Sequence, residues 1–237
     1  MEATGPRPNR LVDSDALALL VGYGLIVAAL WTPRPWQDWL GWSALAWVAL
    51  QTILDFKGWE ALGLAGRGFW RSVWVVCLAL AVCVGAALAS AKLGALHAPH
   101  GPALFAKRFW LYAVWAFVQE FLLLAFFLRR LVRILGSKME AALATAALFG
   151  GCHVPNPVLM PLAAVWGLIA SAVFLRWKNL YPLWISHAIL GICIAVSVPK
   201  TMDHNMRVGL GYLKYHAPSK DSIIAAIGPR PYPPWHE

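Results

Sequence analysis

Seven long apolar runs, at about residues 15–31, 39–54, 72–91, 109–128, 139–154, 158–175 and 181–198, recur along this chain of 237 residues. Each approaches the roughly 20 residues that an α-helix needs to cross the hydrocarbon of a bilayer. A membrane span must satisfy its own backbone hydrogen bonds, which only helices and closed barrels do. Runs of this length select helices. The expected fold class is therefore all-α, a polytopic transmembrane helical bundle of seven or eight spans. The runs at 39–54 and 139–154 are short, so they are expected to tilt, re-enter or pack inside the bundle. A hydrophobic content of 60% with only 13% charged residues excludes an ordinary soluble domain.

The net charge of +9 is spread in short clusters between the runs and forms no basic stripe, which argues against nucleic acid as a partner. The clusters read as topology signals. Arg7, Arg10, Lys57, Arg67, Arg71, Arg129, Arg130, Arg133, Lys138, Arg176 and Lys178 fall in alternate connections, whereas the others hold Arg34, Lys92, Lys107 and Arg108. By the positive-inside rule the N-terminus is cytoplasmic. Trp31, Trp36, Trp39, Trp59, Trp70, Trp110, Trp177 and Trp184 stand near run ends, where amphipathic rings sit at headgroup level. The first run has no AxA-like cleavage site behind it and reads as an uncleaved span. The expected organisation is a cytoplasmic segment 1–14, a helical domain 15–198 and a polar tail 199–237, in the inner membrane if the host is bacterial. Dense small residues in the third and fifth runs permit close helix approach. Cys77, Cys83, Cys152 and Cys193 lie in or beside apolar runs without CxxC spacing, so neither a disulfide framework nor a zinc ribbon is expected.

Against this background Glu120 stands out as an acid deep within FVQEFLLLAFFLRR. A carboxylate taken out of water must be neutralised, paired or placed at a wet cavity, which makes it a candidate functional group. Helical spacing groups it with Ala113, Ala116, Phe117, Leu123, Leu124 and Phe127. His153 closes the next run and is followed by Pro155 and Pro157, which cannot continue a helix. His187 lies inside the seventh run. One carboxylate and two imidazoles on separate spans are what activation of a water and stabilisation of an oxyanion require. Gln119 and Asn156 are supporting neutral donors. Taken alone, an intramembrane His also reads as a hydrogen-bonding interhelical strut, and an intramembrane Glu as a structural or ion-pathway residue. HExxH and its inverse are absent, so neither a metal nor another cofactor is expected. Cys152 and His153 point about 100° apart on a helix and do not form a nucleophile–base pair.

These residues resemble the CPBP family of intramembrane proteases, which includes the type II CAAX prenyl protease and the Abi proteins. That family carries EExxxR, then FxxxH, then HxxxN or HxxxD on successive helices. Here the segments are Gln119-Glu120-Phe-Leu-Leu-Leu124, Phe149-Gly-Gly-Cys-His153 and His187-Ala-Ile-Leu-Gly191, within residues 109–198. Gln119 replaces the first Glu, Leu124 the Arg, and Gly191 the Asn or Asp. The resemblance implies a metal-independent endopeptidase in which Glu120 and His153 activate water and His187 supports the oxyanion. It implies a membrane-protein or lipidated-peptide substrate, such as a prenylated tail, a leader peptide or a C-terminal sorting signal. Two other readings stay open, a catalytically inactive scaffold of the same fold and a small proton-coupled transporter titrating at Glu120.

Overall fold

The computed structural model describes residues 10–99 and 101–216. Those residues form helices α1 (Arg10–Trp31), α2 (Trp36–Leu54), α3 (Phe69–Ser72), α4 (Trp74–Lys92) and α5 (Pro102–Glu120). A π-helical segment (Phe121–Leu128) joins α5 to α6 (Arg129–Leu135), and α7 (Lys138–Gly151), α8 (Leu159–Trp177) and α9 (Tyr181–Ser197) follow. Two short helices, α10 (Lys200–Asp203) and α11 (Gly209–Leu213), complete the described chain. Each of the seven apolar runs is thus helical, and no strand occurs among the described residues.

Local chemistry explains the boundaries. Pro102 opens α5, where its missing N–H costs nothing. Gly136 ends α6 in the left-handed conformation, at φ 69°. Ser137 then caps α7, its hydroxyl accepting from the Glu140 amide at 3.3 Å. Four helical segments are long and apolar enough to cross a bilayer, Val12–Trp31, Phe69–Lys92, Pro102–Leu135 and Leu159–Trp177. Helix α9 is apolar but shorter. At 14 residues α7 reaches only about 21 Å, too short to cross the hydrocarbon by itself, and it buries one face while Met139 and Leu143 on the other stay exposed.

The bundle is built around the continuous rod formed by α5, the π segment and α6. Residues Leu123 to Leu128 are all buried in sequence. A helix that is apolar on every side belongs at the centre of a bundle, and this one is packed by α1, α2, α7 and α8. Leu124 lies in the core cluster with Leu62, Phe174 and Leu183. Helices α7 and α8 approach closely because their contact is made by small residues. A Cβ on Gly150 would stand 2.9 Å from the Ala164 Cβ, and one on Gly167 would stand 3.2 Å from the Ala146 Cα.

Two polar joints were not marked by the apolar pattern. Asp15, at the edge of the first run, is buried and accepts two 2.6 Å hydrogen bonds from Arg133, which also donates to Asp55 at 2.9 Å. Arg130 is 2% exposed, lies 3.5 Å from Asp15, and donates to the carbonyls of Phe126 and Gln51. This network fastens α1 and α2 to α6. The second joint is Asn156, fully buried, whose amide donates to the carbonyls of Asp203 (2.7 Å) and Arg207 (3.0 Å). Its oxygen accepts from the amides of Val158 and Leu159. The tail is therefore more ordered than its composition implies over residues 200–213, with α11 packed on α1. Residues 1–9 and 217–237, which hold most of the expected N-terminal segment and the end of the tail, lie outside the described residues.

Candidate active site

Glu120 is the last residue of α5 and is 0% exposed. The helix widens from α to π geometry immediately after it. Such transitions recur at functional positions. Its Oε1 accepts a 2.6 Å hydrogen bond from the Trp166 indole and lies 2.8 Å from His187 Nδ1. Its Oε2 is also buried and has no hydrogen-bond partner among the described residues. Desolvation of a carboxylate is offset only by donors or an opposite charge. Here one oxygen is doubly satisfied and the other is left as a free acceptor.

His187 is held from three sides. Its Nδ1 faces Glu120, and the rings of Phe149 and Trp166 lie at centroid distances of 5.8 and 6.2 Å. With Nδ1 committed to the carboxylate, Nε2 is the atom left for a substrate. His153 is fixed separately, its Nδ1 donating to the Phe149 carbonyl at 2.7 Å. That bond leaves Nε2 as the unprotonated nitrogen of a neutral ring. The Phe149 ring stands edge-on to both imidazoles, 4.9 Å from His153 and 5.8 Å from His187.

A cavity of about 800 Å³ opens between α1, α2, α5 and α7. Its walls are mostly apolar, and Gln119, Cys152 and His153 are among the few polar groups in it. Arg34, Gln37 and Asp38 line it at the turn between α1 and α2. Gln119 and His153 thus share the cavity wall, while Glu120 and His187 form a buried pair behind it.

The five residues singled out by the sequence are accordingly divided. Glu120 pairs with His187, His153 is linked to them through Phe149, and Gln119 faces the cavity instead of the pair. Asn156 spends its amide hydrogens and its oxygen on the joint to the tail, so it supports the fold and has no donor left for a substrate. Two residues joined the site without a signal in the sequence. Trp166, a span-interior Trp on α8, was indistinguishable from core. Tyr112, on α5, places its hydroxyl where a Cβ on Gly191 would stand, one helical turn from His187. Only a glycine at 191 permits that approach.

Residues 108–193 match the family model described as type II CAAX prenyl endopeptidase Rce1-like. No curated protein and no solved structure matches. The matched segment begins in α5, ends in α9, and contains Tyr112, Gln119, Glu120, His153, Trp166, His187 and Gly191. It supports assignment to the CPBP/CAAX protease family.

Proposed function

For a polytopic membrane protein whose core is assigned to the CAAX protease family, we propose hydrolysis of a peptide bond in a membrane-associated protein. The observation that carries this reading is the buried Glu120–His187 pair at 2.8 Å, with Glu120 Oε2 free to accept a proton. A water directed at the scissile carbonyl gives its proton to Glu120 Oε2, with His153 Nε2 as a second acceptor. The hydroxide adds to the carbonyl carbon. His187, protonated against the Glu120 carboxylate, donates through Nε2 to the developing oxyanion. The C–N bond then breaks as the abstracted proton is returned to the leaving amine. Trp166 and the Phe149 ring exclude bulk water and fix the two imidazoles, which strengthens every electrostatic contact made in the transition state. The apolar cavity suits an aliphatic or lipidated segment, so prenylated tails, leader peptides and sorting signals are the substrate classes to test. The N-terminus is cytoplasmic in this reading, and Arg34 and Asp38, which line the cavity at the α1–α2 turn, lie toward the opposite face.

A second reading is favoured by Gln119. It stands in the cavity wall, whereas Glu120 is sealed behind it. On that reading the same groove binds a peptide without cutting it. The two are separated by comparing the termini of membrane proteins in cells that express the native chain, Glu120→Gln or His153→Ala at equal levels. Hydrolysis predicts new termini that appear only with the native chain. Identical termini in all three samples leave the binding reading and remove the enzymatic one.

A further inference from the structure

A second pocket, of about 530 Å³, lies at the opposite end of the bundle from the α1–α2 turn. The connection between α2 and α3, α3 itself, α6 and the turn between α8 and α9 build its walls. Arg67, Arg71, Arg129, Arg176 and Lys178 line it, against a single carboxylate, Glu60. That carboxylate is not a strong counter-charge, since it meets only Arg67, at 3.8 Å, with both side chains mostly exposed. Arg129 is better sheltered but reaches its nearest acid, Asp55, only at 4.0 Å.

Five cations converging on one hollow repel one another, and the fold holds them there nonetheless. Asn179, buried, donates to the carbonyls of Ala65 (2.8 Å) and Arg67 (2.9 Å). The Tyr181 hydroxyl donates to the Leu64 carbonyl, and the Leu180 amide to the Gly63 carbonyl. These bonds lock the connection to the α8–α9 turn, so the backbone that carries Arg67, Arg176 and Lys178 is fixed around the hollow before any ligand arrives. Lys178 sits in the left-handed region at φ 50°, with its ammonium over the Phe174 ring at 5.2 Å. Burial of its stem and the charges of Arg129 and Lys138 hold its ammonium below the ordinary lysine range. An anion in the hollow relieves that repulsion. The depth is also informative, because the strongly exposed Trp59 and Trp70 flank the same end, at the level where Trp anchors in headgroups.

We propose that this pocket binds a phosphate-bearing anion, supplied either by an anionic lipid headgroup or by free phosphate. Basic hollows between helix ends on the positively charged face of a membrane protein suit that chemistry. The site is separate from Glu120 and His187, and its occupation does not depend on whether they catalyse.

The test uses the purified full chain in detergent. Native mass spectrometry compares retained phosphatidylglycerol with phosphatidylcholine, and titration calorimetry measures inorganic phosphate. Each Lys or Arg near an anionic group contributes on the order of a fivefold gain in affinity, so Arg176→Gln with Lys178→Gln is expected to weaken binding about 25-fold. Arg71→Gln is expected to weaken it less, and Lys92→Gln, far from the pocket, not at all. Selective retention of phosphatidylglycerol, lost in the double variant, assigns the lipid source. Saturable phosphate binding, lost in the same variant without lipid preference, assigns the free anion. The proposal is overturned if the double variant, melting like the native chain, binds both probes as the native chain does. It is equally overturned if Lys92→Gln weakens them as much, since that reports net charge alone.

Discussion

The Tyr112 hydroxyl occupies the space that a side chain on Gly191 would fill, so a phenol from α5 stands beside His187 at the level of the next turn of α9. In the family pattern, a polar side chain follows the last His by four residues. Here that position is empty of side chain, and a hydroxyl from another helix is brought to it.

This close approach makes the two positions interdependent. Gly191→Ala is expected to destabilise the protein by about 1–3 kcal/mol through overpacking. The same substitution in a Tyr112→Ala background is expected to cost much less, because the obstructing ring is gone. Thermal melts of the four proteins in one detergent measure the coupling, and additive losses would contradict the contact.

Glu120 separates chemistry from packing. Glu120→Gln keeps the size and an acceptor oxygen for Trp166, so it should abolish cleavage with a modest change in melting temperature. Glu120→Leu leaves the Trp166 indole and the His187 ring without their acceptor. Breaking a buried pair from one side costs about 3–5 kcal/mol, so this variant should melt well below Glu120→Gln. Equal melting of the two would show that the buried pair contributes nothing to the fold.

The joint at Asp55 predicts an acid limb. Burial alone would raise its carboxyl, but Arg133, Lys57 and Arg130 outweigh that effect and hold it below its ordinary value of 3.8. A depressed folded-state value gives stability that is fully present above the unfolded-state value and lost as pH falls through the folded one. Melting temperature should therefore decline from about pH 4 downward, and Asp55→Asn should flatten that part of the profile. An unchanged acid limb in Asp55→Asn would locate the loss elsewhere.

Asn156 predicts a local effect. Asn156→Ala removes both donors to the Asp203 and Arg207 carbonyls, and the Asp203 carbonyl, at a residue only 1% exposed, is left unpaired at a cost of about 1–3 kcal/mol. The segment 200–213 should open before the bundle does. Limited proteolysis is expected to cut within it in the variant and not in the native chain.

Much of this was legible in the sequence, for a definite physical reason. Hydrocarbon admits only a backbone that satisfies itself, so seven apolar runs dictated seven helices, but the Arg129, Arg130 and Arg133 cluster that read as a connection lies within α6. The same rule made Glu120, His153 and His187 conspicuous, since each is costly at membrane depth. What periodicity could not show was side-chain direction. A regular α-helix was assumed through Leu128, and the switch to π geometry after Glu120 changed which residues face which neighbour. Asp15 and Arg133 looked like a run edge and a topology signal, and their pairing across α1 and α6 depends on helix packing alone. Asn156 beside two prolines looked like a free donor until the tail folded back onto it.

The sequence by itself determined an all-helical membrane bundle and named the ionisable residues it had to accommodate. The tertiary structure decided their partners. Glu120 meets His187 and Trp166, Gln119 and His153 meet the cavity, and Tyr112 meets the gap at Gly191. Hydrophobic runs specify how much of a chain is buried, which is a sum over residues. A hydrogen bond between α5 and α9 depends on rotation and register to within about an ångström, and that is fixed only when the helices pack.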